Sequence, residues 1–337
     1  MKSEVATDGM GSVRHWLEGR DGILLISHER PDGDAIASVL ALFLALRDEG
    51  RRVFAYFPIE RFSGRYQPLL QDVGQLAGLC LGSDKPPTDG LQGVLCLDTS
   101  NWRRAGLPED FDRRETALSV CNIDHHPDNS RFAEVNWIEP ECGATAQMVM
   151  WLLRDRGSRM TREIANLLLV GLVADCGGFR FQNTTPAVLR DAAELSEQGA
   201  EYSRVIDTLF FNEPYNKIRF KNHLLENAQF AFGSRLLYAV LEPEMLGKFG
   251  LQPSDVEDCI DSLRAVSGVE VTCLVQPVDG DVRFSLRSRR LPFNVAEMAH
   301  RLGGGGHPLA AGIRLPKTDL SSALESFLGV AAEWFET

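Results

Sequence analysis

Four times in the first 175 residues an apolar run stops on carboxylates or imidazoles. "GILLIS" (22–27) leads into His28, Asp32 and Asp34, and "GVLCLD" (93–98) closes on Asp98. "LSVCNID" (118–124) closes on Asp124 and is followed by His125 and His126; the apolar stretch 161–175 closes on Asp175. Groups that repel one another and resist burial do not end buried segments without compensation. In an open parallel sheet, ligands bind beyond the carboxyl ends of the strands, and these clusters stand where that rule would put them.

The strand-like runs 22–27, 52–57, 93–98 and 118–124 are interspersed with helical stretches at 35–50, 143–157 and 161–175. This alternation predicts an α/β fold, a mostly parallel sheet with helices on both faces. Another helix is expected within 183–200, starting near Thr185 and Pro186. The pattern then changes, and 202–231 reads as a mixed helical connector. From about Arg235 a smaller α/β unit is expected: a hairpin turning at Asp279–Gly280, a helix over 294–302, a four-glycine loop and a strand over 309–315. The expected domains are 1–200, a connector over 201–231, and 232–337, the last facing the first across a cleft.

At 337 residues, two domains are the natural expectation. No run approaches the roughly 18–20 apolar residues of a membrane span. The first residues lack the apolar core of a secretory signal, and the seven cysteines show no C-x-x-C spacing. A cytoplasmic protein with reduced thiols is expected. The net charge of −12 disfavours a protein that coats long duplexes. Residues 281–317 nevertheless hold seven Lys/Arg against two acidic residues, a local basic face.

So many carboxylates in one crevice would protonate or be neutralised. Divalent cations offer that neutralisation, and mixed carboxylate and imidazole donors suit manganese, and also iron, cobalt or zinc. More donors than one ion needs suggest two ions sharing a carboxylate, an arrangement that cleaves phosphate esters. Asp98, alone in its motif, is the candidate bridge. Each motif alone has a plain structural reading as a turn, a cap or a helix end. A calcium loop at Asp32–Gly33–Asp34 lacks the later glutamate that such a loop requires.

"SHERPDGDAIAS", "LDTS", "IDHHP" and "VADCGGFRF" resemble, in order and spacing, the four motifs of the DHH phosphoesterase superfamily. "SLRS" and "GGGGHPLAAG" resemble the DHH-associated C-terminal domain. The short two-domain form is most similar to the nanoRNase/pAp phosphatase branch. The resemblance implies a manganese-dependent, cytoplasmic, homodimeric enzyme that hydrolyses short RNA or DNA oligonucleotides, dinucleotides or pAp. It implies one cation on His28, Asp32 and Asp98, and a second on Asp34, Asp98, His125 and Asp175. Asp124 would orient an imidazole. His126, with Asp98 the expected catalytic pair, would face the phosphate or the attacking water. Cys176 departs from the threonine that many members carry, which leaves its hydrogen bonding open. Cyclic-dinucleotide phosphodiesterase and RecJ-like exonuclease activities are the alternatives. A non-catalytic nucleotide-binding module would be expected to lack some of these ligands.

The glycines Gly303, Gly304, Gly305 and Gly306 lie between an apolar helix and an apolar strand, which leaves no room for a linker. They admit close backbone approach, and their N–H groups could line an anion nest. With Arg287, Ser288 and His307 they form the expected pocket for the non-scissile nucleotide or its terminal phosphate.

Overall fold

The computed structural model describes residues 9–62, 66–67, 76–84, 86, 88–107, 111, 118–256, 258–278 and 280–335. The chain divides into two compact units, Met1–Asn212 and Glu213–Thr337. The division falls inside the stretch read as a connector. The short helix Tyr202–Ile206 and the π-turn Asp207–Phe211 belong to the first unit, and the helix Tyr215–Glu226 to the second.

The first unit is built on six parallel strands: β1 (Ile23–Ile26), β2 (Val53–Phe57), β3 (Leu79–Leu81), β4 (Gly93–Leu97), β5 (Ser119–Asp124) and β6 (Val135–Ile138). Their order is β3-β2-β1-β4-β5-β6. The chain therefore builds outward from β1 in one direction and restarts at β4 in the other, which opens a crevice at the carboxyl ends of β1 and β4. Successive side chains alternate between two buried faces. Ile23, Leu25, Leu95, Leu97, Cys121 and Ile123 join one core, and Leu24, Ile26, Val94, Cys96 and Val120 the other. Burial on both sides is why the runs read as continuous rather than alternating.

Helices α1 (Met10–Glu18), α2 (Gly33–Asp48), α3 (Thr145–Arg156), α4 (Arg162–Asp175) and α5 (Pro186–Glu197) all contribute to the first core. The second core is covered, among the described residues, by Trp102, Leu107, Phe111 and Phe132 from turns and loops. The helix starts obey local chemistry. Thr161 accepts from the Ile164 N–H at 3.3 Å to cap α4, and Thr185 does the same for Val188 at 3.3 Å ahead of Pro186.

The second unit holds β7 (Gln229–Ala231), β8 (Leu236–Val240), β9 (Val271–Val278), β10 (Asp281–Ser288), β11 (Gly305–His307) and β12 (Ala310–Leu315) in the order β11-β12-β10-β9-β8-β7. Only β8 and β9 pair in parallel. The 294–302 expectation corresponds to a helix over Val295–Arg301, which packs with a C-terminal helix over Leu320–Phe335 against one face. The hairpin joining β9 to β10 is present, with Asp279 itself outside the described residues. The four-glycine loop is corrected: Gly305, Gly306 and His307 form an edge strand on β12. A Cβ on Gly304 would overlap the Gly312 carbonyl oxygen, and one on Gly306 would lie 2.5 Å from the Ala310 carbonyl oxygen. Close backbone approach between two strands accounts for these glycines without any ligand.

Candidate metal centre

The end of β4 is the middle of the site. Asp98 follows β4 directly, is 2% exposed, and has φ +55°, a left-handed conformation that aspartate tolerates better than most residues. Its N–H donates to the Ile123 carbonyl at 3.0 Å. The buried Asn122 amide donates to the carbonyls of Cys96 (3.1 Å) and Thr99 (3.2 Å), so the chain is pinned on both sides of Asp98. The two carboxylate oxygens face different partners. Oδ2 lies 3.7 Å from His28 Nε2; Oδ1 lies 3.7 Å from His125 Nε2 and 3.6 Å from His126 Nδ1.

His28 leaves β1 through a bridge to Ala105, and burial lowers its pKa. Its Nδ1 is buried without a hydrogen-bond partner. Asp32 caps α2, with Oδ1 accepting the N–H groups of Asp34 (3.0 Å) and Ala35 (3.1 Å). Asp34, in the first turn, is 1% exposed. It accepts from the N–H groups of Thr145 (2.6 Å) and Ala146 (2.9 Å) and from the Ser38 hydroxyl (3.1 Å). Burial and then the neighbouring Asp175 push its pKa up to about 7. Burial, then Asp34 and Asp32, push Asp98 well above the usual carboxylate range.

His125 Nδ1 faces the Cys142 carbonyl at 3.2 Å, a contact that calls for an N–H there and, in a neutral ring, makes Nε2 the acceptor. That Nε2 faces Asp98 Oδ1 and Asp175 Oδ2, the latter at 3.5 Å. A lone pair aimed at two carboxylates is repulsive unless a cation or a proton stands between them. His126 differs: its Nδ1 pairs with Asp124 Oδ1 at 2.7 Å. Burial opposes protonation, but the Asp124 hydrogen bond and charge outweigh it and push His126 up to about 10. Burial likewise opposes ionisation of Asp124, and the bond to His126 outweighs it, so Asp124 titrates low. Asn129 supports Asp124 Oδ2 at 2.6 Å.

Among the described residues, three groups bring donor atoms within 4.8 Å of one another: His28–Asp32–Asp98, Asp98–His125–His126 and Asp34–His125–Asp175. Every sequence-predicted ligand falls in one of them. The expected second set divides, with Asp98 joining His125 and His126 while Asp34 and Asp175 share His125. The donor set and the repulsions within it fit divalent cations.

Thr145 and Asn183 support the ligands without having carried a sequence signal, and the partner left open for Cys176 is now seen. Thr145, whose hydroxyl donates to Asp98 Oδ1 at 3.1 Å, reaches Asp34 from 111 positions away. The Asn183 amide donates to the Gly143 carbonyl (2.8 Å) and to Asp175 Oδ2 (3.4 Å). Cys176 is buried and directs its thiol to the Gly143 carbonyl at 3.7 Å; burial pushes its pKa up to about 12.

In the second unit, Arg287 and Ser288 stand on opposite faces of β10. Arg287 is half-buried and donates to the Leu286 carbonyl at 3.0 Å. Ser288 is fully buried, and its hydroxyl donates to the Arg290 carbonyl at 3.0 Å. Ser288 thus shapes the turn after β10 rather than offering its hydroxyl to solvent. Arg287, Ala310 and His307 are successive cross-strand partners, which puts Arg287 and His307 on one face with a small side chain between them.

A model of the DHH family, N-terminal domain, matches residues 22–172, and one of the DHHA1 domain matches residues 233–337. The bifunctional oligoribonuclease and PAP phosphatase NrnA of Thermus thermophilus is 36% identical, over 96% of this chain and 94% of that protein. Its Bacillus subtilis counterpart is 26% identical over 89% of this chain and 91% of that protein. An exopolyphosphatase-related protein of Bacteroides fragilis has the same fold, with a TM-score of 0.79 at 21% identity over 97% of this chain and 96% of that one. Among the described residues, no helix is long and apolar enough to cross a membrane.

Proposed function

This chain belongs to the DHH phosphoesterase family, with a DHHA1 domain behind the DHH domain, and we propose that it hydrolyses short oligonucleotides and 3′,5′-bisphosphorylated adenosine with two manganese ions. The relatives named above support the substrate class. The observation that carries the two-ion reading is Asp98, which presents one oxygen to His28 and the other to His125 and His126.

His28, Asp32 and Asp98 would hold one ion, and Asp34, His125 and Asp175 the other, with Asp98 shared. Divalent cations there supply charge for phosphoryl oxygens and lower the pKa of water. The chain's own groups do the rest. His126 keeps its proton at neutral pH because Asp124 accepts from it, so it can donate a hydrogen bond to a phosphoryl oxygen as charge develops there. Overall, water oxygen joins phosphorus, the phosphorus–oxygen bond to the leaving group breaks, and the leaving oxygen ends protonated. In the second unit, Arg287 and His307 bind the nucleotide, the guanidinium and the imidazole on either side of Ala310 offering hydrogen-bond donors to a phosphate. Gly303 to Gly306 let their strand approach β12.

A substrate panel tests the proposal. Protein stripped with EDTA and reloaded with manganese is assayed on 5′-phosphorylated di- to pentanucleotides, pAp, cyclic di-AMP and a 20-mer. Turnover of the dinucleotide and pAp only in the reloaded protein is expected. Inactivity on every substrate with manganese present would overturn the reading, and preference for the 20-mer would replace it with a processive exonuclease.

A further inference from the structure

One short segment, 142–146 at the head of α3, contacts the residues of several ligand motifs at once. The Cys142 carbonyl faces His125, and the Gly143 carbonyl receives Asn183, which also reaches Asp175. Thr145 holds two ligands by separate groups, its N–H on Asp34 Oδ2 at 2.6 Å and its hydroxyl on Asp98 Oδ1 at 3.1 Å. It is fully buried.

A carboxylate offers about four acceptor sites, two on each oxygen. On Asp34, Ser38 and Ala146 occupy Oδ1 and the Thr145 N–H takes one place on Oδ2. One place remains, on Oδ2, so Asp34 is set to bind through a single oxygen. On Asp98 the Thr145 hydroxyl takes one place on Oδ1 and leaves the other free. Rotation about the Cβ–Cγ bond is otherwise soft for an aspartate, and a quarter turn would take both oxygens away from their histidines. The hydroxyl resists that turn from the only side on which it touches Asp98.

We infer that Thr145 is a positioning residue that fixes how Asp98 divides its two oxygens between the cation sets. The inference rests on the two-cation reading. It makes the hydroxyl, rather than the bulk of the side chain, responsible for occupancy on the Oδ1 side. Thr145→Val keeps the shape and the backbone N–H but removes the donor, leaving Oδ1 short of a partner in a buried place. Thr145→Ser keeps the donor.

Calorimetric titration of manganese into metal-free protein distinguishes the cases. Wild type and Thr145→Ser should take up two ions with matching affinities. Thr145→Val should bind one ion as wild type does and the second roughly 10- to 100-fold more weakly, the effect usual for loss of a group that orients ligands. Its kcat on the dinucleotide should recover with excess manganese at unchanged KM. Normal uptake of both ions by Thr145→Val overturns the inference, even if the metal-free melting temperature falls, because packing is then the role of Thr145. A Thr145→Ser variant as defective as Thr145→Val overturns it too. No uptake by wild type is a different result and overturns the two-cation reading itself.

Discussion

Adjacent histidines in "IDHHP" have unlike surroundings and so unlike chemistry. His125 gives its Nδ1 to a backbone carbonyl, which is the arrangement of a metal ligand with a fixed tautomer. His126 gives its Nδ1 to Asp124, a charged acceptor that holds a proton on the ring. His126→Gln therefore should leave manganese uptake largely intact while lowering kcat by roughly 10²- to 10⁴-fold, the range for loss of a positioned proton donor. Stopped assays beside calorimetry check this, and complete loss of manganese uptake would show that His126 is chiefly a ligand of the Asp98–His125–His126 group. The family resemblance already divided the two, His125 as a ligand and His126 as the residue facing the phosphate, but the motif itself does not show what makes them differ. The difference rests on Asp124 at the end of β5, on Asn129 five residues further, and on Cys142, 17 residues beyond His125.

Helices α2, α3 and α4 meet at a single glycine. A Cβ on Gly171 would come 2.5 Å from the Ala146 Cβ and 2.8 Å from Asp34 Oδ1. Gly171→Ala should push α3 away from Asp34, costing about 1–3 kcal/mol as overpacking does, and should weaken manganese binding in the same variant. Urea melts with and without manganese check both effects, and a stable variant with normal uptake would show that the helices part without disturbing Asp34. Helices α2 to α5 and the four central strands were legible because their cores demand apolar runs, whereas the C-terminal helix Leu320–Phe335 was not read. The short strands β3, β6 and β11 were not. Each has a neighbour on only one side of its sheet, and β11 is "GGH", where no pattern of side chains marks a strand. Its pairing is dictated instead by backbone crowding against Ala310 and Gly312.

At the scale of the whole molecule, the metal centre couples stability to pH in opposite directions with and without its ions. In metal-free protein the folded-state pKa of Asp34 is about 7, against an ordinary value of 3.8. Asp98 is raised by the same burial. A folded state that holds a proton the unfolded chain has released is stabilised by acid, so this contribution is lost as pH rises through about 7 and returns as pH falls. From pH 8 to pH 6.5, Asp34 alone should add about 1 kcal/mol, and His126, which keeps its proton up to about 10 when folded against an ordinary value of 6.5, adds in the same direction, so the melting temperature rises by at least roughly 2–4 °C. Further acidification meets a counter-current, because His28 titrates lower in the folded state than in the unfolded chain and opposes folding below its ordinary value of 6.5. With saturating manganese the slope should invert over the same window. Protons then compete with the ions for the same oxygens, and stabilisation by a ligand falls as its affinity falls. Scanning calorimetry at pH 8, 7.2 and 6.5, in EDTA and in manganese, gives two lines that should approach each other towards acid. A metal-free melting temperature that drops between pH 8 and pH 6.5 would mean that the buried carboxylates are already neutralised by protein groups, and the need for cations at the ends of β1, β4 and β5 would disappear with it.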